Sequence, residues 1–489
     1  MPNGAGERIV IGLDVGTSGA KATAVDERAV VVAEHEAGYP LLTPRPGWTE
    51  QSADAWWSAA TTALAEVTRA LPRPPEAVAL TGQMHGLVPL DDAGAVVRNP
   101  ILWNDQRTED AVAEIEMAVP RAELVTRGGN PAITGFQLAK LVWLRRHEPD
   151  VFARTRTVLF PKDYLTFRLT GERVAEPTDA SGSNAFDLRQ GRWDDAILRA
   201  LDLDVALYPR LLDSDAVAGR VLPEAARSAG LPEGVPVVTG AGDNAAAATG
   251  LGIAKGVLGR GSVSLGTSGV LQAPLARPTP EPQGRAHLFA HADGGYLLMG
   301  VTLSAAGSLA WLERTLFPSH DAAALADLAA TSPTGAHGVT FHPYLAGERT
   351  PYLDGDLRGA WRGLSLKADA ADLARSVFEG VAFSLGHAYD VMRPLCSLEM
   401  LVATGGGSRS RFWVQLLANV LHLPITRLAE EHGAAYGAAL LAWRALGSDV
   451  RPRIPVADVI EPQHDPALEE AYRRYRELAP RDRHAEGAA

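Results

Sequence analysis

The chain has 489 residues, 46% hydrophobic and 21% charged, which is material for two large cores and excludes global disorder. Its 58 acidic against 46 basic residues give a formal net charge of -12, so nucleic acid and anionic membrane are not expected partners, and a phosphate ligand has to be gripped locally by backbone N–H groups and a metal ion. The single cysteine, Cys396, excludes an internal disulfide and a multi-cysteine zinc site; with residues 1–8 polar and no uncharged stretch suited to a membrane span, the cytoplasm is the expected compartment.

Residues 9–13 form a short apolar run that ends at Asp14 and the turn Gly16-Thr17-Ser18-Gly19, and residues 22–25 resume β-type composition, which reads as a β-hairpin. Residues 52–71 place Trp56, Ala60, Leu64, Val67 and Leu71 at helical spacing behind Ser52, a candidate N-cap. Residues 78–80 run into Thr81-Gly82, residues 237–238 into Thr239-Gly240, and residues 401–403 into Thr404-Gly405. Each reads as a buried strand that delivers a glycine turn to one edge of a sheet, where α/β folds bind ligands. A second Gly266-Thr267-Ser268-Gly269 turn follows the strand at 263–265. Amphipathic helices are expected over 371–391 and 410–421, and a charged helix with Tyr472 and Tyr475 after Pro462, before a polar end at 481–489 that is expected to fray. Strands alternating with helices indicate an α/β architecture with helix-covered sheets. The paired GTSG turns suggest two related halves, 1–245 and 246–489, joined near residue 245.

Phosphoryl transfer needs a cradle for the phosphates, a divalent cation, a positioned acceptor hydroxyl and a base near it. No GxxxxGK[ST] and no GxGxxG is present, so the nucleotide site is neither a Walker loop nor a Rossmann fingerprint. Each GTSG turn is either a plain hairpin turn or an anion cradle whose glycines let amides and hydroxyls approach a phosphate. Asp14, at the end of a buried strand, is either a turn residue or the carboxylate beside a hydrated Mg²⁺. Asp243, in Gly242-Asp243-Asn244 before an Ala-rich helix, is either an N-cap or a base that accepts the proton of a sugar hydroxyl. Gly405-Gly406-Gly407-Ser408 precedes an amphipathic helix and suits adenine or ribose lying against backbone. Gln83-Met84-His85-Gly86 and Trp103-Asn104-Asp105 pair hydrogen-bonding groups with an apolar face, as a polyol site does.

Taken in order, residues 13–19, Gln83-Met84-His85-Gly86, Leu102-Trp103-Asn104-Asp105, Gly242-Asp243-Asn244 and residues 264–269 resemble the FGGY carbohydrate kinases. Pro161-Lys162-Asp163-Tyr164, Gly347-Glu348-Arg349-Thr350-Pro351 and Thr404-Gly405-Gly406-Gly407 extend the resemblance over about 9–446. It implies two ribonuclease-H-like domains of the actin and hexokinase type with ATP and sugar in the cleft between them, and phosphorylation of D-xylulose at O5. By position, Asp243 becomes the proton acceptor, Asp14 the residue that holds Mg²⁺, directly or through water, and Thr17, Ser18, Gly266 and Thr267 the phosphate contacts. Gly405 and Gly406 are placed against adenosine, and Met84, His85, Trp103, Asn104, Asp243 and Asn244 against the sugar. Glycerol kinases carry an Arg-Glu pair where this chain has Met84-His85, so glycerol is disfavoured. The expected assembly is a homodimer. Rival readings are a kinase of ribulose, fuculose or gluconate, an actin- or Hsp70-like ATPase, and a sugar-binding sensor with a decayed kinase site; Met84, His85, Trp103 and Asn104 weigh against the ATPase, and intact Asp14 and Asp243 against the sensor.

Overall fold

The structure, a computed structural model, describes residues 8–480; the fraying expected at 481–489 lies outside them. The chain forms two compact units. One comprises the chain up to Ala254 with Phe289–Tyr296 and His432–Arg453, the other Lys255–Leu288, Leu297–Glu431 and the residues from Ile454 on.

The first unit is built on a six-stranded sheet ordered Val217–Arg220, Pro236–Gly242, Val78–Gly82, Ile9–Val15, Gly19–Asp26, Val31–Gly38. The expected hairpin is antiparallel, with Val15 opposite Ala20. Strand Val78–Gly82 lies parallel to Ile9–Val15, with Asp14 beside Thr81 and Val15 beside Gly82. Strand Pro236–Gly242 runs parallel on its other side, with Gly242 beside Gly82. Three parallel strands therefore end together, and Asp14, Gln83 and Asp243 arrive at one edge because each lies at or just beyond the end of its strand. The last of these strands carries an irregularity between Val238 and Ala241. Gly240 there has φ +74°, and a Cβ on it would stand 1.5 Å from the Leu80 carbonyl oxygen, so only glycine fits.

One face of this sheet is covered by helix Ala53–Ala70, whose N-cap Ser52 accepts from the Ala55 amide at 3.3 Å and which buries Trp56, Ala60, Leu64 and Val67, as its periodicity predicts. The other face is covered by helix Ala434–Ala445, whose Tyr436, Ala439, Leu440 and Trp443 pack with Val10, Val25, Ala79 and Val238. The apolar side of that helix belongs with the first sheet, so 432–453 return to the unit that the chain left after Ala254.

The second unit carries a seven-stranded sheet ordered His287–Ala290, Tyr296–Thr302, Gly269–Leu275, Arg260–Leu265, Met400–Thr404, Ile425–Leu428, Val456–Ile460. It repeats the device of the first: an antiparallel hairpin around the GTSG turn, with Met400–Thr404 parallel to its first strand and Thr404 beside Ser264. Helix Ala370–Met392 starts in a capping box made by Asp369 and Asp372, and helix Arg411–Leu421 is capped by Ser410. Helix Pro466–Leu478 buries Tyr475, whose hydroxyl meets that of Tyr344 at 2.8 Å. Among the described residues no helix is long and apolar enough to cross a membrane.

Candidate active site

In the first unit the turn Gly16-Thr17-Ser18-Gly19 has all its carbonyls engaged from behind. The Tyr39 hydroxyl lies 2.6 Å from Gly16 O and 3.0 Å from Gly19 O, Gln83 Nε2 donates to Gly16 O at 3.1 Å, Gln51 Nε2 to Thr17 O at 2.7 Å, and the Tyr39 amide to Ser18 O at 3.2 Å. Carbonyl oxygens held this way cannot repel an anion, and among the described residues the amides of Thr17 and Ser18 have no intramolecular acceptor. The Thr17 hydroxyl is itself committed: it donates to Gln83 Oε1 at 3.3 Å and accepts from Trp103 Nε1 at 3.2 Å. Ser18 is the exposed hydroxyl of the turn.

Asp14 and Asp243 are both partly buried and close enough for their charges to interact. Burial first, then the Asp243 charge, pushes the Asp14 carboxyl up to about 7. Its Oδ1 is buried with no hydrogen-bond partner. Asp243 is not the N-cap of its helix; Gly242 holds that position and Asp243 is the first helical residue of Asp243–Gly250. Its Oδ1 accepts from the Asn244 amide at 2.7 Å and from Asn244 Nδ2 at 3.0 Å, which works against burial, yet burial wins and lifts the carboxyl to about 6.

Met84 and His85 follow strand Val78–Gly82. Met84 is buried, and Asn244 Nδ2 lies 3.8 Å from its sulfur, which ties the sugar-type turn to the Asp243 helix. His85 has φ +69°, a strained value for a non-glycine residue of the kind that collects at functional sites. Buried Lys140 holds it there, donating from Nζ to the carbonyls of His85 and Gly135 at 2.7 Å each. The imidazole stacks on Phe136 at 4.5 Å, and Nδ1 lies 2.8 Å from the Gly182 carbonyl. A carbonyl only accepts, so Nδ1 carries the proton in this contact. Trp103 is half-exposed beside Thr17, and Asn104 Oδ1 accepts from the Thr49 hydroxyl at 2.7 Å. Asp105 is not a polyol contact. It is fully buried, takes the Thr49 amide at 2.6 Å and pairs with Arg107 at 2.7 Å, so it builds the loop that carries Trp103 and Asn104.

Beneath these residues lies a charged cluster with no exposed side chain: Lys162, Asp163, Glu176 and Asp179. Lys162 Nζ is 2.5 Å from Asp163 Oδ1, 3.3 Å from Glu176 Oε1 and 3.4 Å from Asp179 Oδ2. One cation cannot neutralise three carboxylates, and burial holds Asp179 well above the usual carboxylate range, with the Asp243 charge adding to the effect.

In the second unit the carbonyls of the other GTSG turn are held by a helix start. Gly266 O accepts from the Ala306 amide at 2.8 Å, and Thr267 O from the Ala305 amide at 2.8 Å and the Gly307 amide at 3.1 Å. Gly405 has φ +80°, and a Cβ on it would meet the Leu265 carbonyl carbon at 2.8 Å. Its amide is taken by Glu431 Oε1 at 2.9 Å. Gly406 and Gly407 line a cavity of about 560 Å³, roomy enough for a nucleoside, together with Ala306 and Ala310 of one helix, Ala323 and Ala326 of the next, and Phe412. Small side chains on two facing helices leave a flat slot.

The sequence model of the FGGY family of carbohydrate kinases matches with its N-terminal domain over residues 9–250 and with its C-terminal domain over residues 261–446. The chain belongs to that family. A xylulose kinase of Klebsiella pneumoniae is 38% identical over 460 residues, covering 93% of this chain and 94% of the relative. Among solved structures, a xylulose kinase from Rhodospirillum rubrum superposes with TM-score 0.89 at 34% identity, covering 96% of this chain and 98% of that one. A gluconate kinase from Lactobacillus acidophilus superposes with TM-score 0.90 at 26% identity, covering 99% of each. The two-domain α/β expectation holds, and this FGGY kinase is an ATP-dependent sugar kinase.

Of the site residues expected from sequence, Asp14, Thr17, Ser18, Met84, His85, Trp103, Asn104, Asp243 and Asn244 fall in the first unit of the kinase, and Gly266, Thr267, Gly405 and Gly406 in the second. Sequence reasoning did not find the alanine walls of the nucleoside-sized cavity, because Ala-rich amphipathic stretches look like ordinary core. It gave Lys162 and Asp163 no role and passed over Glu176 and Asp179; polar residues near helix starts read as solvated until burial is known. A Mg²⁺ ion fits the donor set in one respect. Among the described residues no cluster of three His, Cys, Asp or Glu side chains could cage a metal, but the unpartnered Oδ1 of Asp14 suits an ion that keeps most of its ligands as water and phosphate oxygens.

Proposed function

We propose that this FGGY kinase phosphorylates D-xylulose at O5, giving D-xylulose 5-phosphate, with Asp243 as the proton acceptor. The observation that carries the reading is the company Asp243 keeps. Its carboxylate lies beside Asn244 and the Met84-His85 turn, and the set Met84, His85, Trp103, Asn104, Asp243, Asn244 contains no Lys or Arg. A gluconate carboxylate would bring a third negative charge next to Asp14 and Asp243 with no Lys or Arg in that set to meet it, whereas a neutral ketose asks only for donors and acceptors. Lys140 is unsuited to that task because it is buried and spent on two backbone carbonyls.

In this reading the sugar lies against Met84, His85 and Trp103, and its reacting hydroxyl donates to Asp243. The alcohol is too weak an acid to ionise first, so Asp243 takes the proton as the bond to phosphorus forms. The amides of Thr17 and Ser18 in the first unit offer donors to a phosphate, and in the second unit Gly266 and Thr267 offer the same kind of turn. Adenosine occupies the cavity beside Gly406, with Gly405 behind it. Mg²⁺ would be held by Asp14, through water, and when bound supplies neutralisation of the charge on the transferred phosphoryl group. A homodimer belongs to the same reading, checked by light scattering as a mass twice that of the chain.

The test is ADP release measured across D-xylulose, ribulose, fuculose, gluconate and glycerol. The expected result is the highest kcat/KM for D-xylulose; a higher value for gluconate, or ADP release that ignores sugar, overturns the substrate. Asp243→Asn is expected to lose roughly 10²- to 10⁴-fold in kcat while D-xylulose still binds, and near-normal turnover would remove the base. Asp14→Asn is expected to shift the Mg²⁺ concentration needed for half-maximal rate upward, and an unmoved Mg²⁺ response counts against its role.

A further inference from the structure

The short turn at 176–182 is bonded at one end to the residue before Asp243 and at the other to His85. The Gly242 amide donates to Thr178 Oγ1 at 2.8 Å. The Thr178 hydroxyl has one proton and places it on Glu176 Oε1 at 2.7 Å, so the direction of the relay is fixed: Gly242 N–H to Thr178 O–H to the Glu176 carboxylate. Glu176 Oε2 in turn accepts the Thr178 amide at 2.8 Å and the Ser214 hydroxyl at 2.8 Å, while Lys162 Nζ stands 3.3 Å from Oε1. Lys162, Glu176 and Thr178 are wholly buried and Ser214 nearly so. Four residues after Thr178, the Gly182 carbonyl accepts His85 Nδ1–H at 2.8 Å, and the Gly182 amide is tied back to Asp179 O at 2.9 Å. A Cβ at position 182 would stand 2.4 Å from His85 Nδ1, so the close approach depends on glycine there.

A buried ion pair is an expensive way to hold a turn if stability were the only return. Here it fixes the proton on Thr178, and through it the backbone amide at the N-cap of the helix that begins with Asp243. Resting on the reading of Asp243 as base and His85 as sugar contact, we infer that Thr178 and Glu176 are positioning residues, and that the turn they build sets the spacing between the proton acceptor and the sugar-holding histidine. Neither side chain touches substrate; both act through Gly242. A shift of the Asp243 carboxylate by about 1 Å is enough to cost roughly 100-fold in an aligned transfer.

The experiment compares Thr178→Val, which keeps the shape and removes the hydroxyl, with Thr178→Ser, which restores it, and records kcat, both KM values and the thermal unfolding profile. Thr178→Val is expected to lose roughly 10- to 100-fold in kcat with the ATP KM within about twofold, and Thr178→Ser to recover kcat to within about threefold of the parent. A folded Thr178→Val enzyme with parental kcat overturns the inference, as does equal impairment of the Val and Ser variants. If Thr178→Val does not fold, Ser214→Ala decides, since it loosens Glu176 from the far side. A drop of roughly threefold or more in kcat at unchanged ATP KM supports the relay, and an unchanged kcat overturns it. Asp243→Asn is run alongside: its near-normal turnover would bring down the base itself, whereas its loss together with an intact Thr178→Val enzyme would bring down only the positioning role.

Discussion

As the proposed proton acceptor, Asp243 combines two demands that oppose each other. A base has to be ionised at working pH, and burial holds this carboxyl at about 6, above its ordinary 3.8, with the Asn244 amide and side chain giving back part of the shift. The kcat/KM for sugar is therefore expected to fall about tenfold per pH unit below pH 6 as Asp243 takes a proton, a limb that a pH profile at saturating ATP reads directly. The same shift has a sign for stability. A carboxyl whose folded value lies above its unfolded one stabilises the fold only while protonated; that contribution is complete below the unfolded value and is lost as pH rises through 6. At pH 8 the ionised group costs on the order of 1–3 kcal/mol. Asp243→Asn removes that cost and also relieves Asp14, whose carboxyl the Asp243 charge pushes up. In metal-free buffer the inactive variant is expected to be the more stable protein at pH 8, with the gap narrowing towards pH 5 in urea unfolding. An Asn variant less stable than its parent at pH 8 would mean that Asp243 is not strained by burial.

At the scale of elements, helix Ala434–Ala445 joins the two carboxylates. A Cβ on Gly12 of strand Ile9–Val15 would stand 1.8 Å from the Ala435 carbonyl oxygen, and one on Gly437 1.7 Å from the Ala246 carbonyl oxygen in the helix that Asp243 begins. The helix thus presses on the strand that carries Asp14 and on the helix that carries Asp243. Gly437→Ala is expected to destabilise the protein by about 1–3 kcal/mol and to lower kcat, because the displaced element is the one that aims the base. Gly433→Ala, at a position with open space around it, is the control and is expected to leave the unfolding midpoint in place. Equal midpoints for the two variants would show that the contact yields without strain. Most elements around this site were legible before folding: the strands that end in Thr-Gly, the hairpins around GTSG, and the helices behind Ser52 and Ser410 announce themselves by local period and turn chemistry. The return of 432–453 to the first unit was not. A stripe of Ala and Gly packs equally well on any close neighbour, and its partners, Gly12 and Ala246, are remote in sequence, so nothing local names them.

Across the whole molecule the proposed sugar contacts and the nucleoside-sized cavity belong to different units. The proposed sugar side stands out in the sequence because its residues are chemically distinctive: Met84-His85, Trp103 and Asp243 each differ from their neighbours. The nucleoside side was legible only at its glycines, since its walls are alanines whose value lies in what they leave empty. That emptiness can be tested. Ala310 lines the cavity from the exposed side of helix Ala306–Leu316, so Ala310→Leu adds three carbons to the slot without crowding the core. An aromatic base that has to lie flat between two helices loses the space it needs, and a misfit of this size in an apolar pocket is worth roughly 10- to 200-fold. The ATP KM is expected to rise by about tenfold or more, while D-xylulose binding, followed calorimetrically without nucleotide, stays within about twofold, because no sugar contact lies in that unit. An unchanged ATP KM would place adenosine elsewhere than beside Gly406, and a parallel loss of sugar binding would show that the two ligands do not have separate seats.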